Sequence, residues 1–130
     1  MEYRAANPAD FDAIRKLLAE TGWEHRVADT ARFEQMINNA SRTIVAVYED
    51  RIVGFARPLT DGVSNGYIGT VAVAEDVRGR GIGRQMAERL MGDDPRITWV
   101  LRGGRSDSRG FWKKLGFVES KVAMERTRRA

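Results

Sequence analysis

The sequence predicts an α+β fold in which a central mixed, mostly antiparallel sheet carries helices on both faces. Three observations lead there. Two β-branched, apolar runs at 43–48 and 52–57 are separated only by Glu49-Asp50-Arg51, the spacing of an antiparallel hairpin. A strand-like run at 67–73, a helical stripe (Ile82, Met86, Leu90) and a further strand-like run at 97–101 form a β-α-β unit, whose crossover makes its two strands parallel. Two amphipathic helical stripes precede the hairpin, and their apolar sides need a sheet to cover.

Taken in order, residues 3–6 read as a short first strand. Asn7-Pro8-Ala9-Asp10 then starts a helix: Asn7 caps it, Pro8 brings the φ of a first turn, and Asp10 suits the positive end of the helix dipole. Phe11, Ile14, Leu17 and Leu18 hold helical spacing, and Gly22 stops the helix. Phe33, Met36, Ile37 and Ala40 make a second i, i+3, i+4, i+7 stripe. After the hairpin, Thr60-Asp61-Gly62 and Ser64-Asn65-Gly66 punctuate the way to the strand at 67–73. Beyond the β-α-β unit, 109–115 reads as a short helix stopped by Gly116, and 122–127 as a last strand with Val122 and Met124 on one side. The expected order is β-α-α-β-β-β-α-β-α-β, in one domain spanning 1–130.

The charge balance narrows the function. A formal net charge of +4 and a pI near 9.8 favour an anionic ligand, yet the surplus is too small to signal nucleic-acid binding. The absence of cysteine excludes disulfides, thiolate metal sites and cysteine nucleophiles. A single histidine, His25, argues against a histidine-built metal centre or a Ser-His-Asp triad, so no metal is expected. No apolar run reaches membrane-spanning length, and the first residues lack the basic-then-apolar pattern of a signal peptide. The expectation is a cytoplasmic protein without membrane or nucleic-acid partners.

The most informative stretch is Val77-Arg78-Gly79-Arg80-Gly81-Ile82-Gly83-Arg84. Glycines let a backbone approach a ligand closely, amides opening a helix attract anions, and arginines add charge-assisted donors. The combination reads as a phosphate cradle. A P-loop is excluded, since Gly-Lys-Ser/Thr is missing. A dinucleotide fingerprint fits badly too: the glycines are spaced Gly-x-Gly-x-Gly, and Ala74-Glu75-Asp76-Val77 separates them from the strand. On spacing alone, an ordinary arginine-glycine turn at a helix start stays open.

Arg78-x-x-Gly81-x-Gly83 resembles the Gln/Arg-x-x-Gly-x-Gly/Ala motif of the GNAT superfamily of N-acetyltransferases. Val71-Ala72-Val73 is similar to the strand end that precedes that loop in the family. Phe111-Trp112-Lys113-Lys114-Leu115-Gly116-Phe117 resembles its C-terminal Phe-Tyr-x-Lys-Leu-Gly-Phe signature. With the order of elements, the resemblance extends over nearly the whole chain and implies a GNAT-like fold.

It also implies a chemistry. Acetyl-CoA, or a related acyl-CoA, is the co-substrate. Its pyrophosphate lies on the amides from Gly79 to Arg84, with Arg78, Arg80, Gly81, Ile82 and Gly83 in the cradle. Its pantetheine arm pairs with the backbone of Val71, Ala72 and Val73, where two strands splay apart. Trp112 and Lys114 belong to the same binding surface. Arg102, Arg105, Arg109, Lys113 and Lys114 read first as solvated side chains; the alternative is that one or two approach the 3′-phosphate, Lys114 first from its place in the signature. The acceptor is a primary amine of a small molecule or protein, attacking the thioester directly in a ternary complex. Such an amine arrives mostly protonated, so a base must take its proton. Glu24 and Asp61 are the catalytic candidates, with His25 beside them, and Trp23, Glu24 and His25 line the acceptor pocket. A solvated loop carboxylate or surface histidine is the plain alternative for each.

Two positions depart from the family pattern. Trp112 stands where many members carry a tyrosine general acid, and an indole cannot donate a proton at neutral pH. Thr70 stands where many have an acidic residue. A thiol of pKa about 8.5 can leave as the thiolate, and Ser106, Ser108 or water can substitute for the acid. Slower transfer is expected; the alternative is a CoA-binding regulatory domain with little or no transferase activity. Members of the family are often dimers, which leaves a homodimer open.

Overall fold

Four consecutive residues, Val53, Gly54, Phe55 and Ala56, are all buried. Successive strand side chains point to opposite faces, so this run needs cover on both sides of its sheet. The computed structural model, which describes residues 1–103 and 106–129, supplies that cover. Its strands are β1 (Glu2–Arg4), β2 (Ile44–Tyr48), β3 (Arg51–Thr60), β4 (Asn65–Val73) and β5 (Thr98–Leu101). Its helices are α1 (Phe11–Glu20), α2 (Glu24–Val27), α3 (Thr30–Asn38), α4 (Ile82–Met91) and α5 (Ser106–Lys114). The sheet runs β1-β2-β3-β4-β5, antiparallel throughout except for the parallel β4–β5 pair, as the hairpin and crossover predict. On one face Met86 of α4 packs against Gly54, leaving no room for a Cβ there. On the other, α1 packs on β3 and β4, on the side to which Phe55 points.

The entry to α1 is built more tightly than a cap alone. Asn7 Oδ1 accepts from Ala9 N at 3.0 Å, and Asp10 returns the bond by accepting from Asn7 N at 2.8 Å. Arg4 grips the same carboxylate with two hydrogen bonds of 2.7 and 2.9 Å, so Asp10 also fastens β1 to α1. Ile14, Leu17 and Leu18 are buried below, and Gly22 follows the helix at φ +96°. The β2–β3 turn puts Glu49 and Asp50 at φ +49° and +62°, the primed geometry whose twist suits a two-residue hairpin.

The structure corrects the expectation at three places. A helix at 24–27, α2, was not foreseen, because four residues are too few to display a 3.6-residue period. Ala40 lies beyond the end of α3, so the second stripe is one turn shorter than its spacing suggests. The strand expected at 122–127 does not form: 118–129 is irregular, with Val118, Val122 and Met124 at 85, 90 and 99% exposure. Alternating apolar residues make a strand only where a neighbour takes the backbone hydrogen bonds, and this segment lies against the protein through side chains instead. Its ion pairs are Arg109–Glu119 at 3.0 Å and Arg102–Glu125 at 2.6 Å. Among the described residues, no helix is long and apolar enough to cross a membrane.

Candidate functional site

The site begins with a proline. Pro58 sits within β3, has no N–H to give to the ladder, and the β3–β4 register slips beside it. Arg57 faces Thr70 and Pro58 faces Ile68, which leaves Gly69 as the extra residue of a β-bulge. β5 pairs with β4 from Asn65 to Ile68 and stops there. From Gly69 to Val73, β4 therefore has no strand partner on its β5 side among the described residues. The bulge and the loss of pairing coincide, and the two parallel strands part at that point.

At the end of β4 the chain enters the glycine-arginine run. Ala74 N donates to Val53 O at 2.8 Å, a 3-10 turn follows at Glu75–Val77, and Arg78 Nε donates to Val73 O at 3.1 Å. Gly79 and Gly81 have φ of +81° and +83°, and a Cβ at either would meet open space. Those two glycines are required by the backbone alone. Gly83 differs: its φ is not positive, and an added Cβ would make ordinary contact with the Phe111 ring at 3.4 Å and Val73 Cγ2 at 3.5 Å, so neither the backbone nor the space around it demands glycine.

Gly81 is the N-cap of α4 and has no side chain with which to cap it, and no acidic residue lies in the first turn. The opening amides of α4 thus point outward at the positive end of the helix dipole, beside the unpaired edge of β4. The arginines are partly engaged. Arg84 pairs with Glu88 at 2.7 Å, while Arg51 holds Asp76 through bonds of 2.8 and 2.6 Å, and this lowers the Asp76 pKa. All of Arg78, Arg80 and Arg84 remain exposed.

Trp112 lies in α5, packed edge-on to Phe111 at 4.8 Å and to Phe117 at 5.4 Å between ring centroids, against the core. Its carbonyl accepts from Leu115 N and Phe117 N, and Gly116 turns the chain at φ +95°. Lys114 stands exposed on the last turn. Arg105 and the Ser106 side chain lie outside the described residues.

The acceptor-side candidates fall in two separate places. Trp23 is half-buried against the core, and Glu24 and His25 are exposed on α2. Glu24 and His25 line an open groove of about 480 Å³ with Ala19, Gly22 and Ala28, and Glu24 also borders an adjoining one with Asp12, Arg15 and Lys16. Asp61 sits in the β3–β4 turn. Its Oδ1 accepts from Val63 N at 2.9 Å, Ser64 N at 2.8 Å and Asn65 N at 3.3 Å, and its Oδ2 from Ser64 Oγ at 2.5 Å. The Ser64 hydroxyl first, then these amides, hold its carboxyl far below the usual range. At roughly 3.4 Å per residue, the Asn65 end of β4 is also about 17 Å along the strand from Thr70. The structure does not bring Asp61 and Glu24 together. Among the described residues, no cluster of three or more histidine, aspartate or glutamate side chains is placed to hold a metal ion.

Sequence reasoning located the loop and the splaying strand but missed the bulge. Its signal was present: Pro58 directly after one strand-like run, with Gly69 in the middle of the next. Arg57, buried in part beside that bulge, was missed as well.

The chain matches the model of the acetyltransferase (GNAT) family over residues 10–117. It is similar to GCN5-related N-acetyltransferase 1, chloroplastic, of Arabidopsis thaliana, at 31% identity over 120 residues, 88% of this chain and 59% of that protein. The chain spans about three fifths of the length of the curated relatives it matches. In fold it resembles the ribosomal-protein-alanine N-acetyltransferase from Brucella melitensis biovar Abortus 2308, with a TM-score of 0.76 at 19% identity, over 98% of this chain and 99% of that one. It also resembles aminoglycoside N-acetyltransferase AAC(6')-Iy in complex with CoA, with a TM-score of 0.75 at 17% identity, over 99% of this chain and 95% of that one.

Proposed function

The chain belongs to the GNAT acetyltransferase family, and from that premise we propose that it transfers an acetyl group from acetyl-CoA to a primary amine of a small molecule or protein. One observation carries the reading: the unpaired edge of β4 from Gly69 to Val73 leads, through a loop tied back to Val73 by Arg78, to uncapped helix amides at Gly81 to Arg84. A pantetheine arm offers amides to pair with a strand edge, and a pyrophosphate suits the positive end of a helix. The residues present therefore fit acetyl-CoA, with Val71, Ala72 and Val73 along the arm, Arg78 to Arg84 around the phosphates, and Lys114 toward the 3′-phosphate.

Bound there, acetyl-CoA supplies the activated acyl group as a thioester. The chain contributes position and charge. A backbone N–H on the open edge of β4 donates to the thioester oxygen as negative charge develops on it. Glu24, directly or through water, takes the proton of the incoming ammonium, with Trp23 and His25 forming the approach. Asp61 serves the hairpin turn in this scheme, since four hydrogen bonds already stabilise its charge and weaken it as a base. Trp112 gives no proton; with a pKa of about 8.5 the thiol departs as thiolate. Attack is direct, in a complex holding both substrates.

Calorimetric titration with acetyl-CoA, followed by free-thiol release with a panel of amines, tests this. Saturable binding and turnover support it; no binding overturns it. The indole of Trp112, which gives no proton where many family members carry a tyrosine, favours a second reading, a CoA-binding regulatory domain. Tight binding without turnover on any amine in the panel would select that one.

A further inference from the structure

We propose that Arg57 selects the acceptor, an amine that also carries a carboxylate; this rests on the acetyl-transfer reading above. Val73 lies on the α4 side of the sheet, where it meets Gly83, and its partner Gly54 faces Met86 of α4. Arg57 is three residues after Gly54, so its side chain leaves β3 on the opposite face. It stands across from Thr70, with Nε 3.4 Å from Thr70 Oγ1. Its guanidinium lies over the bulge: a Cβ at Gly69 would come within 2.6, 2.8 and 3.0 Å of Nη2, Cζ and Nη1. Glycine at 69 thus makes room for the planar fork where β4 loses its β5 partner.

A ligand whose phosphates sit at α4 and whose arm follows β4 occupies the α4 side. The amine must reach the thioester from the other face, and there it meets Arg57. Thr70, only 3% exposed, adds a hydroxyl and no charge. Arg57 is half-buried, so its charge is less screened than that of a surface arginine. A guanidinium fork matches a carboxylate through two parallel hydrogen bonds. The same charge repels an acceptor that brings only ammonium groups. Selection therefore has an attractive and a repulsive part.

The test compares parent, Arg57→Ala and Arg57→Lys on β-alanine and free amino acids against their amides, by thiol release, with acetyl-CoA affinity measured by calorimetry. The parent is expected to favour the carboxylate form about 10–100-fold in kcat/KM. Arg57→Ala abolishes that preference by raising KM of the acid and lowering that of the amide, with acetyl-CoA affinity unchanged, and Arg57→Lys restores part of it. A parent that prefers amides, or acetylates no carboxylate-bearing amine, overturns the proposal. So does an Arg57→Ala variant that slows acids and amides equally, which would make Arg57 only a support for the bulge. Failure of the parent to bind acetyl-CoA overturns the acetyl-transfer reading itself; binding without acid preference overturns only the role of Arg57.

Discussion

Arg78 donates from Nε to the Val73 carbonyl at 3.1 Å, joining the first arginine of the glycine loop to the last residue of β4. The tie fixes how far the open strand edge stands from the opening amides of α4. Loss of a charge-assisted hydrogen bond at an exposed position should act at the low end of its usual range. Arg78→Ala is expected to raise the acetyl-CoA Kd about tenfold by calorimetry while the melting temperature moves by only a few degrees. An unchanged Kd would mean that the loop holds its place without the tie.

The glycines of the loop separate by cause. Gly81→Ala puts a side chain at φ +83° in open space, so its cost is backbone strain of about 1–2 kcal/mol, and a melting temperature several degrees lower. Gly83→Ala places a Cβ in ordinary contact, 3.4 Å from Phe111, and gains up to about 1 kcal/mol of helix propensity. Thermal melts should rank Gly83→Ala at or above the parent and Gly81→Ala below it.

Asp10 and Asp61, together with Asp76 and Asp94, hold carboxylates lowered by their hydrogen bonds and contribute to the acid limb of stability. The Arg4 hydrogen bonds lower the Asp10 pKa, and the Ser64 hydroxyl and turn amides lower that of Asp61. A group depressed on folding stabilises fully above its unfolded pKa, about 3.9 for aspartate, and loses that contribution as pH falls through its folded value. The parent should therefore melt progressively lower below about pH 4–5. Asp10→Asn should melt below the parent at pH 7, and the gap should narrow as pH falls below about 4.

Glu24 and Asp61 are told apart by their readouts. Glu24→Gln is expected to cut kcat by about 10²-fold or more near neutral pH, with little change in melting temperature. Asp61→Asn should lower the melting temperature and leave kcat within about threefold, because it disturbs a turn remote from the bulge. The reverse pattern would make Asp61 the base.

Trp112 tests both packing and chemistry. Trp112→Ala removes the ring between Phe111 and Phe117 and should cost about 2–4 kcal/mol in denaturant unfolding. Trp112→Tyr keeps a ring and restores a proton donor. Its kcat is expected to rise no more than about 10²-fold, because a thiolate leaves well unaided. A fall in kcat would show that the indole contributes through shape.

Much of this molecule was legible from its residues, and the limit is a physical one. Local chemistry determined the Asn7 cap, the β2–β3 hairpin, the β4-α4-β5 crossover and the glycine-arginine loop, since each depends on neighbours in sequence. The Arg78 and Phe111–Phe117 motifs then pointed to acyl-CoA. Tertiary structure alone decided what depends on distant partners. The alternating pattern near Val122 and Met124 was real, but no strand was there to pair with it. Pro58 and Gly69 lie eleven positions apart in the chain, and only the register placed them side by side as one bulge. Asp61 and Glu24 looked equivalent until their surroundings showed one carboxylate saturated with donors and the other exposed. Arg57 carried no signal at all, because a side chain's face and neighbours across a sheet are set by pairing between segments that the linear sequence keeps apart.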